Sequence, residues 1–568
     1  MQHIYCTLRI LFVAFLLGAA TAGVARAQVP GFDYAAVHGG PAPSQSQTNS
    51  VATDKQGNAY VTGIFRGSIV LGTTTLTAVG DYDLFVAKRD AAGAYQWAAQ
   101  AGGSGWDISN ALAVDASGNV HVTGYCIGNS ARFGPLKLFD AANLAPFDGL
   151  GYNLFVATLS ADGTWQRLVR AGGLDVNNYL IGTSIAVDSQ GNAYVAGSFR
   201  GQDARFGAIR LANEGTYNVF AACLGPAGTW RWAVSGGGNG YDAGRGIAVD
   251  DRDGVYLTGN FSSTALQLGP QRLPNASVFS NNGFVAKLNA TTGAWQWAAP
   301  ISSAHGGGGA AIAVDGRGDP SLTGWLGGGT AAVGALRLDK STTDADLLVA
   351  KFDGATGACR WAVRGGGPGA EFGLGIALDV DGTAYVGGTF EGEAATFGQV
   401  SLRSAGKRDA VVASLDAAGQ WRWALGGGGP GDDNGAAVAA DGLRGAYVAG
   451  TFDGRTAAFG GIVLETGPPL SEYVTNRGFL ARASDLALRS PAADLTLWPN
   501  PGRRGAPVWA TGLPAGQAVQ VFDRLGRLLV ADARPGYPAQ GLALPAALPS
   551  GAYVVRCGAL VRRLVLVD

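Results

Sequence analysis

The sequence predicts an all-β fold, a seven-bladed propeller closed by its own N-terminal strand, on three observations. First, one phrase recurs along the chain. It is plain at Ala186-Val-Asp-Ser-Gln-Gly-Asn-Ala-Tyr-Val-Ala-Gly-Ser-Phe199, with relatives beginning at Ala52, Ala113, Ala248, Ala313, Ala377 and Ala439. Its Asp falls at 54, 115, 188, 250, 315, 379 and 441, a period that marks a tandem array. Second, each unit carries four short runs of strand-forming residues, and no stretch holds a long 3.6-residue period. Third, the last unit lacks a fourth run, and a copy of that run stands near the start of the chain.

The unit at 180–238 shows the elements in order. Ser184–Asp188 and Ala193–Phe199 are the first two strands, Asn218–Leu224 the third, and Thr229–Val234, ending in Gly236-Gly237, the fourth. Short turns between them make an antiparallel meander, and seven meanders in tandem make a propeller. Asp188 and Gly191 set the first turn. The Asp accepts a hydrogen bond from backbone two residues on, and Gly supplies positive φ. Calcium would need further oxygen ligands at regular spacing, which this loop lacks. Aromatics two apart on the fourth strand (Tyr95 and Trp97, Trp230 and Trp232, Trp295 and Trp297, Trp421 and Trp423) share one face, suited to filling the wedge between sheets. Sugar stacking is the alternative use. Phe206-Gly207 to Leu211, echoed at Phe133, Phe397 and Phe459, reads as a short extra hairpin at the rim.

Closure follows from the strand count. Gly478–Arg482 matches the third strand at Asp83–Lys88, and no fourth strand with Trp and Gly-Gly comes after it. Phe32-Asp-Tyr34-Ala-Ala-Val-His38-Gly-Gly40 matches Tyr95 to Gly103, so the N-terminal strand is expected to complete the last sheet. Sharing one sheet between the two ends leaves no open edge.

Composition narrows the function classes. At 568 residues the chain exceeds one conventional core, which a repeat array avoids. The formal net charge of -1 supplies no basic field for nucleic acid. Arg9, the apolar run Ile10 to Leu17 and then Ala25-Arg26-Ala27 form a secretory signal, with cleavage expected after Ala27. The apolar run is too short to span a membrane, and no later segment could span as a helix. Of the five Cys, Cys6 leaves with the signal. Cys126, Cys223, Cys359 and Cys557 have no disulfide-framework spacing and read as buried single thiols.

No catalytic residue, metal site or cofactor is predicted. His121 replaces the repeat Tyr and reads as packed, while His38 and His305 lie in separate units. The candidate ligand-binding residues are Asp107, Asp242, Glu371 and Asp433, each eight residues before the turn Asp. The loop they occupy joins a fourth strand to the next first strand and lines one mouth of a propeller. Four carboxylates there suit a cation, a sugar or a basic peptide. They equally suit solvated loop ends that accept backbone hydrogen bonds. Ser46, Leu180 and Gly307 hold the equivalent positions elsewhere.

The repeat resembles the bacterial seven-bladed propeller repeat family through Asp54-Lys-Gln-Gly57-Asn58-Ala-Tyr60-Val61-Thr-Gly63. The likeness covers 28–488 and implies the fold but no shared catalytic residues. Departures occur at Asp253-Gly254 and Ser321. Beyond Ser490 the repeat stops. Trp498-Pro499-Asn500-Pro501, then Val521-Phe522-Asp523-Arg-Leu-Gly526-Arg527, then Leu548-Pro-Ser-Gly551-Ala-Tyr553-Val follow in order. This region resembles the type A C-terminal sorting domain of the type IX secretion system of Bacteroidetes. The resemblance implies a small immunoglobulin-like β-sandwich at 491–568 that engages the secretion machinery, with Trp498 and Phe522 standing where the family has Tyr.

The expectation is therefore a signal peptide at 1–27, a propeller at 28–488 and a sorting domain at 491–568. Its role would be binding or scaffolding at the cell surface or outside it, with an unknown glycan or peptide as ligand. An extracellular enzyme acting on a polymer such as a polysaccharide, and a structural matrix component, are the alternatives.

Overall fold

The computed structural model describes residues 30–40, 44–128, 130–138, 151–173, 178–252, 254–275, 280–340, 343–466 and 476–485. In the tail it describes 496–498, 502–503, 508–511, 519–523, 528–532, 539–542, 551–557 and 560–567. The fold is all-β: among the described residues there is no α-helix. No helix among them is long and apolar enough to cross a membrane.

The repeat unit folds as a four-stranded antiparallel meander. Gln45–Thr53, Ala59–Arg66, Asp83–Arg89 and Tyr95–Gly102 pair in that order. The unit used above does the same with Tyr179–Val187, Ala193–Arg200, Asn218–Leu224 and Trp230–Gly236. The last described unit has Asn434–Ala440, Gly445–Phe452 and Arg477–Ser484, and its fourth strand is Gly31–His38 from the other end of the chain. Phe32 packs edge-on against Phe459, as Trp421 packs on Phe397 and Trp230 on Phe206 in their sheets. Arg482 of the third strand is buried and ion-paired to Asp33 on the N-terminal strand and to Asp441.

The turn Asp works as its residue type predicts. Asp54 accepts from the backbone N–H of Gln56 at 3.0 Å and of Asn58 at 2.9 Å. It also takes the Asn58 amide at 2.7 Å and the Tyr60 hydroxyl at 3.0 Å. Asp188 repeats the set with Gln190, Asn192 and Tyr194. The Asp-Asn-Tyr signature is thus one hydrogen-bonded knot in these two units, and Asp115 builds it with Asn119 and His121. Where Ser321 replaces Tyr, the Lys351 ammonium fills the vacated place, 2.7 Å from Asp315.

Sheets meet through aromatic side chains and rim hairpins. The second fourth-strand Trp donates its indole N–H to the next unit: Trp97 to Ala161 O at 3.0 Å, Trp232 to Ala290 O at 2.8 Å and Trp297 to Gly354 O at 3.1 Å. The indole is both wedge filler and donor, so its polar atom is satisfied where it is buried. The rim hairpin seen at Asp203–Phe206 and Ile209–Ala212 also reaches across, since Gly172 of the preceding fourth strand bridges to Arg205. Gly237 to Gln267 and Gly366 to Thr396 repeat the bridge, and Gly39 on the N-terminal strand makes it to Val70.

Tail strands pair only with one another among the described residues, in a three-stranded and a five-stranded sheet. Val519–Phe522 and Leu528–Asp532 form the hairpin expected around the Gly turn.

Candidate functional site

The four carboxylates expected at one mouth are not solvated. Asp107, Asp242 and Glu371 are wholly buried and Asp433 is 1% exposed. Three of them turn back onto the residue four before them. Asp107 accepts from Gly103 N–H at 2.6 Å, Glu371 from Gly367 N–H at 3.0 Å, and Asp433 from Gly429 N–H at 2.5 Å. Asp242 is held chiefly by the Ser263 hydroxyl at 2.6 Å and its N–H at 3.2 Å, with Gly238 N–H as a lesser donor. Of the expectation of solvated loop ends that accept backbone hydrogen bonds, the solvation is corrected and the backbone hydrogen bonds are present. The Gly-Gly loop carries backbone donors but no side chain to cover them, so the donors need a buried acceptor. The carboxylates are staples for that loop.

Each staple lies against the start of a third strand. Asp83, Asp346 and Asp409 occupy that position in three units, and Asn153, Asn218 and Asn282 in three others. A glycine makes room for the meeting. A Cβ on Gly428 would sit 2.5 Å from Asp433 Oδ2 and 2.7 Å from Asp409 Oδ1, so any other residue there would collide with both carboxylates. Asp346 is neutralised by Lys340 and by Arg364 at 3.3 Å. Asp83 and Asp409 each keep one buried oxygen without a hydrogen-bond partner.

Burial therefore dominates the titration. It pushes Asp107 up to about 6, reinforced by the Asp83 charge and opposed by hydrogen bonds from the Cys126 thiol and Gly103. Asp433 rises to about 6 and Glu371 to about 7, again chiefly through burial. Asp242, Asp83 and Asp409 move the same way.

The remaining candidates are structural in placement. His38 is buried, with Nδ1 2.7 Å from Thr48 Oγ1, and burial pushes it down to about 3. His121 stands in the Tyr slot, 3.4 Å from Asp115. His305 contacts the Gly328 carbonyl at 3.0 Å. Cys126 and Cys223 are buried free thiols and Cys359 is partly buried. No cluster of three or more metal-ligating side chains occurs among the described residues. In the tail, Tyr553 is buried on Gly551–Cys557, and Asp523 follows the strand Val519–Phe522. Pro499, Asn500, Pro501, Gly526 and the cleavage residue Ala27 lie outside the described residues.

Sequence reasoning missed a row of aromatic residues beside the staples. Trp106, Tyr179 and Tyr241 each directly precede a first strand's staple position, and Tyr82, Tyr152 and Tyr217 each precede a third strand's polar residue. Trp106 is 47% and Tyr241 36% exposed. The signal was available in the aligned repeats, but only once the two positions were known to meet.

Comparison with known proteins agrees with the repeat architecture. The beta-propeller repeat family SBBP matches residues 96–130 and 171–198. The chain is built on a beta-propeller scaffold. An uncharacterized WD repeat-containing protein, L264 of Acanthamoeba polyphaga mimivirus, is 23% identical over 279 residues, 41% of this chain. The match spans only 19% of that relative's length. Among solved structures, a protein of unknown function from Dyadobacter fermentans is 9% identical, with TM-score 0.36, covering 80% of this chain and 100% of its own. The quinohemoprotein alcohol dehydrogenase of Comamonas testosteroni is 11% identical, with TM-score 0.37, over 84% and 79%. PorZ, a surface component of the type-IX secretion system of Porphyromonas gingivalis, is 12% identical, with TM-score 0.22, over 92% and 81%.

Proposed function

We propose that the chain is an exported binding or scaffold protein of the cell surface or extracellular space. Its platform would be a seven-bladed ring at 28–488, and its C-terminal region at 491–568 a sandwich that engages the type IX secretion machinery. The observation that carries the ring is the pairing of Gly31–His38 with Arg477–Ser484. It is supported by the bridge from Gly39 to Val70, which repeats between the two ends the latch made by Gly172 and Arg205 inside the array. A closed ring gives a rigid frame whose loops vary without disturbing it, and that arrangement favours recognition over chemistry. Export rests on the signal at 1–27 and on the three ordered tail motifs.

Two experiments test the reading. Deleting 491–568 in the native host should abolish surface delivery and leave the protein in the periplasm. Delivery unchanged by the deletion refutes the export role. The full secreted chain should also bind a component of an array of extracellular glycans and peptides, and failure to bind either refutes the recognition role.

A further inference from the structure

The seven units offer an internal control for what the fold needs. At every junction the backbone of one third strand meets the start of the next first strand: Asp107 N–H donates to Tyr82 O at 2.8 Å and Asp242 N–H to Tyr217 O at 3.1 Å. Tyr152 N–H donates to Asn178 O at 3.0 Å, and Tyr152 bridges in parallel to Tyr179. The same contact is made with other side chains elsewhere. Gly307 N–H reaches Asn281 O, Glu371 N–H reaches Ala345 O, Asp433 N–H reaches Arg408 O, and Ser46 N–H reaches Asn476 O. The two facing positions at those four junctions hold Asn281 and Gly306, Ala345 and Ala370, Arg408 and Asp432, and Asn476 and Gln45. Aromatic pairs are therefore not required to make the junction. Yet three consecutive junctions carry them.

The rings form three pairs at successive junctions, the second and third of them in contact. Tyr82 and Trp106 lie 5.8 Å apart between centroids, Tyr152 and Tyr179 stack at 4.0 Å, and Tyr217 and Tyr241 lie at 4.7 Å. Tyr179 and Tyr217 link the second pair to the third at 6.2 Å. The exposed Arg200 guanidinium lies 5.6 Å from the Tyr179 ring and 5.9 Å from the Tyr217 ring. Trp106 and Tyr241 expose large rings to water, and the other four are half-buried.

We infer that this row of pairs is a binding site for an extended neutral carbohydrate chain, an inference that rests on the recognition role proposed above. The chemistry selects the ligand. Aromatic faces carry negative quadrupole density, and the C–H hydrogens on a sugar face carry partial positive charge. Tyrosine adds a hydroxyl at its rim and a rigid surface at low entropic cost. A receptor that repeats the same pair at successive junctions suits a ligand that repeats the same unit. Single-stranded nucleic acid also stacks on aromatics, but it needs a basic groove along its backbone. Arg200 alone, on a chain of net charge -1, does not provide one.

The test uses the full secreted chain in native affinity electrophoresis through gels containing xylan, mannan, mixed-linkage β-glucan or pullulan, beside a peptide array. At least one of these glycans should retard the wild type. The double variant Trp106→Ala/Tyr241→Ala should bind it at least tenfold more weakly while still unfolding in one cooperative transition, its midpoint lowered only by the loss of two half-covered rings at the surface. Trp106→Phe, which keeps a stacking face, should stay within about threefold of wild type, as should Asn281→Ala at a junction without aromatics. Retardation unaltered in the double variant overturns the site. Binding of peptides through these residues, with no glycan retarded, overturns the carbohydrate assignment and leaves the recognition role standing. Binding of neither overturns both.

Discussion

Replacing Asp107 with Asn should make the protein more stable at neutral pH, and increasingly so as pH rises. Asp107 is wholly buried, and burial pushes its carboxyl from the ordinary 3.8 up to about 6. A carboxyl whose folded pKa is raised is neutral in both states only well below its ordinary value of 3.8. Between pH 4 and 6 the unfolded chain ionises first, and stability falls; above pH 6 the loss is complete. At ~1.4 kcal/mol per pH unit the full loss is about 3 kcal/mol. About 1 kcal/mol of it has gone by pH 4.5 and about 2 kcal/mol more by pH 7.5. Asparagine does not ionise. Its carbonyl can still accept from Gly103 N–H. Urea unfolding followed by tryptophan fluorescence at pH 4.5 and 7.5 measures the effect. The stability of Asp107→Asn relative to wild type should rise by about 2 kcal/mol between the two pH values. Taking that difference cancels every titrating group that does not interact with Asp107, which leaves Asp83 and Cys126 as the coupled neighbours. A gap that stays constant refutes the argument that burial of this carboxylate strains the junction.

Other perturbations bear on the frame. Arg482→Met leaves Asp33 and Asp441 buried without their shared cation, and should cost about 3–5 kcal/mol. Limited proteolysis should then release the N-terminal strand first, and a variant that melts like wild type would contradict the clasp. Gly163→Ala places a Cβ 2.6 Å from the Trp97 ring at a residue with φ of +85°, so it should destabilise by more than the ~1 kcal/mol of an ordinary glycine position, read as a lowered urea midpoint. His38→Gln should protect against acid. The folded-state pKa of His38 is depressed to about 3, so its neutral form supports the fold above the unfolded value of 6.5 and that support is lost as pH falls below it. The stability of the variant relative to wild type should rise between pH 7.5 and pH 4.5, whatever constant cost the lost ring packing adds at both.

How much was legible follows from whether a contact is local. The Asp54 knot spans six residues, so its sequence states it, down to His121 standing in for Tyr. The N-terminal strand was legible because its missing partner could be counted. The fate of Asp107 was not. Its burial depends on Gly103, four residues before it, and on Asp83, which arrives from a different strand and a different sheet. Nothing in the spacing of Asp107, Asp242, Glu371 and Asp433 distinguishes a carboxylate that points to water from one that turns back on its own loop. Gly-Gly was the overlooked sign. A glycine pair at the end of a strand leaves donors uncovered, and Gly428, with two carboxylates crowding the place of its side chain, shows what comes to cover them.

The same junction therefore separates two kinds of residue by depth. The inner position is polar in all but two units, whether Asp, Glu or Ser, because buried loop donors demand an acceptor whatever the protein binds. The residue immediately before it has no such duty. It ranges over Trp106, Tyr179, Tyr241, Gly306, Ala370, Asp432 and Gln45 while the backbone contact stays the same. A repeat holds constant what its architecture uses and lets drift what it does not. Drift without selection would scatter aromatics among the seven positions. Here they fall at three neighbouring junctions and recur at the facing position of each, in Tyr82, Tyr152 and Tyr217. Paired substitution on one arc of the array is the pattern expected of a surface shaped by what it touches, and it lies one residue outside the place where the carboxylates drew attention.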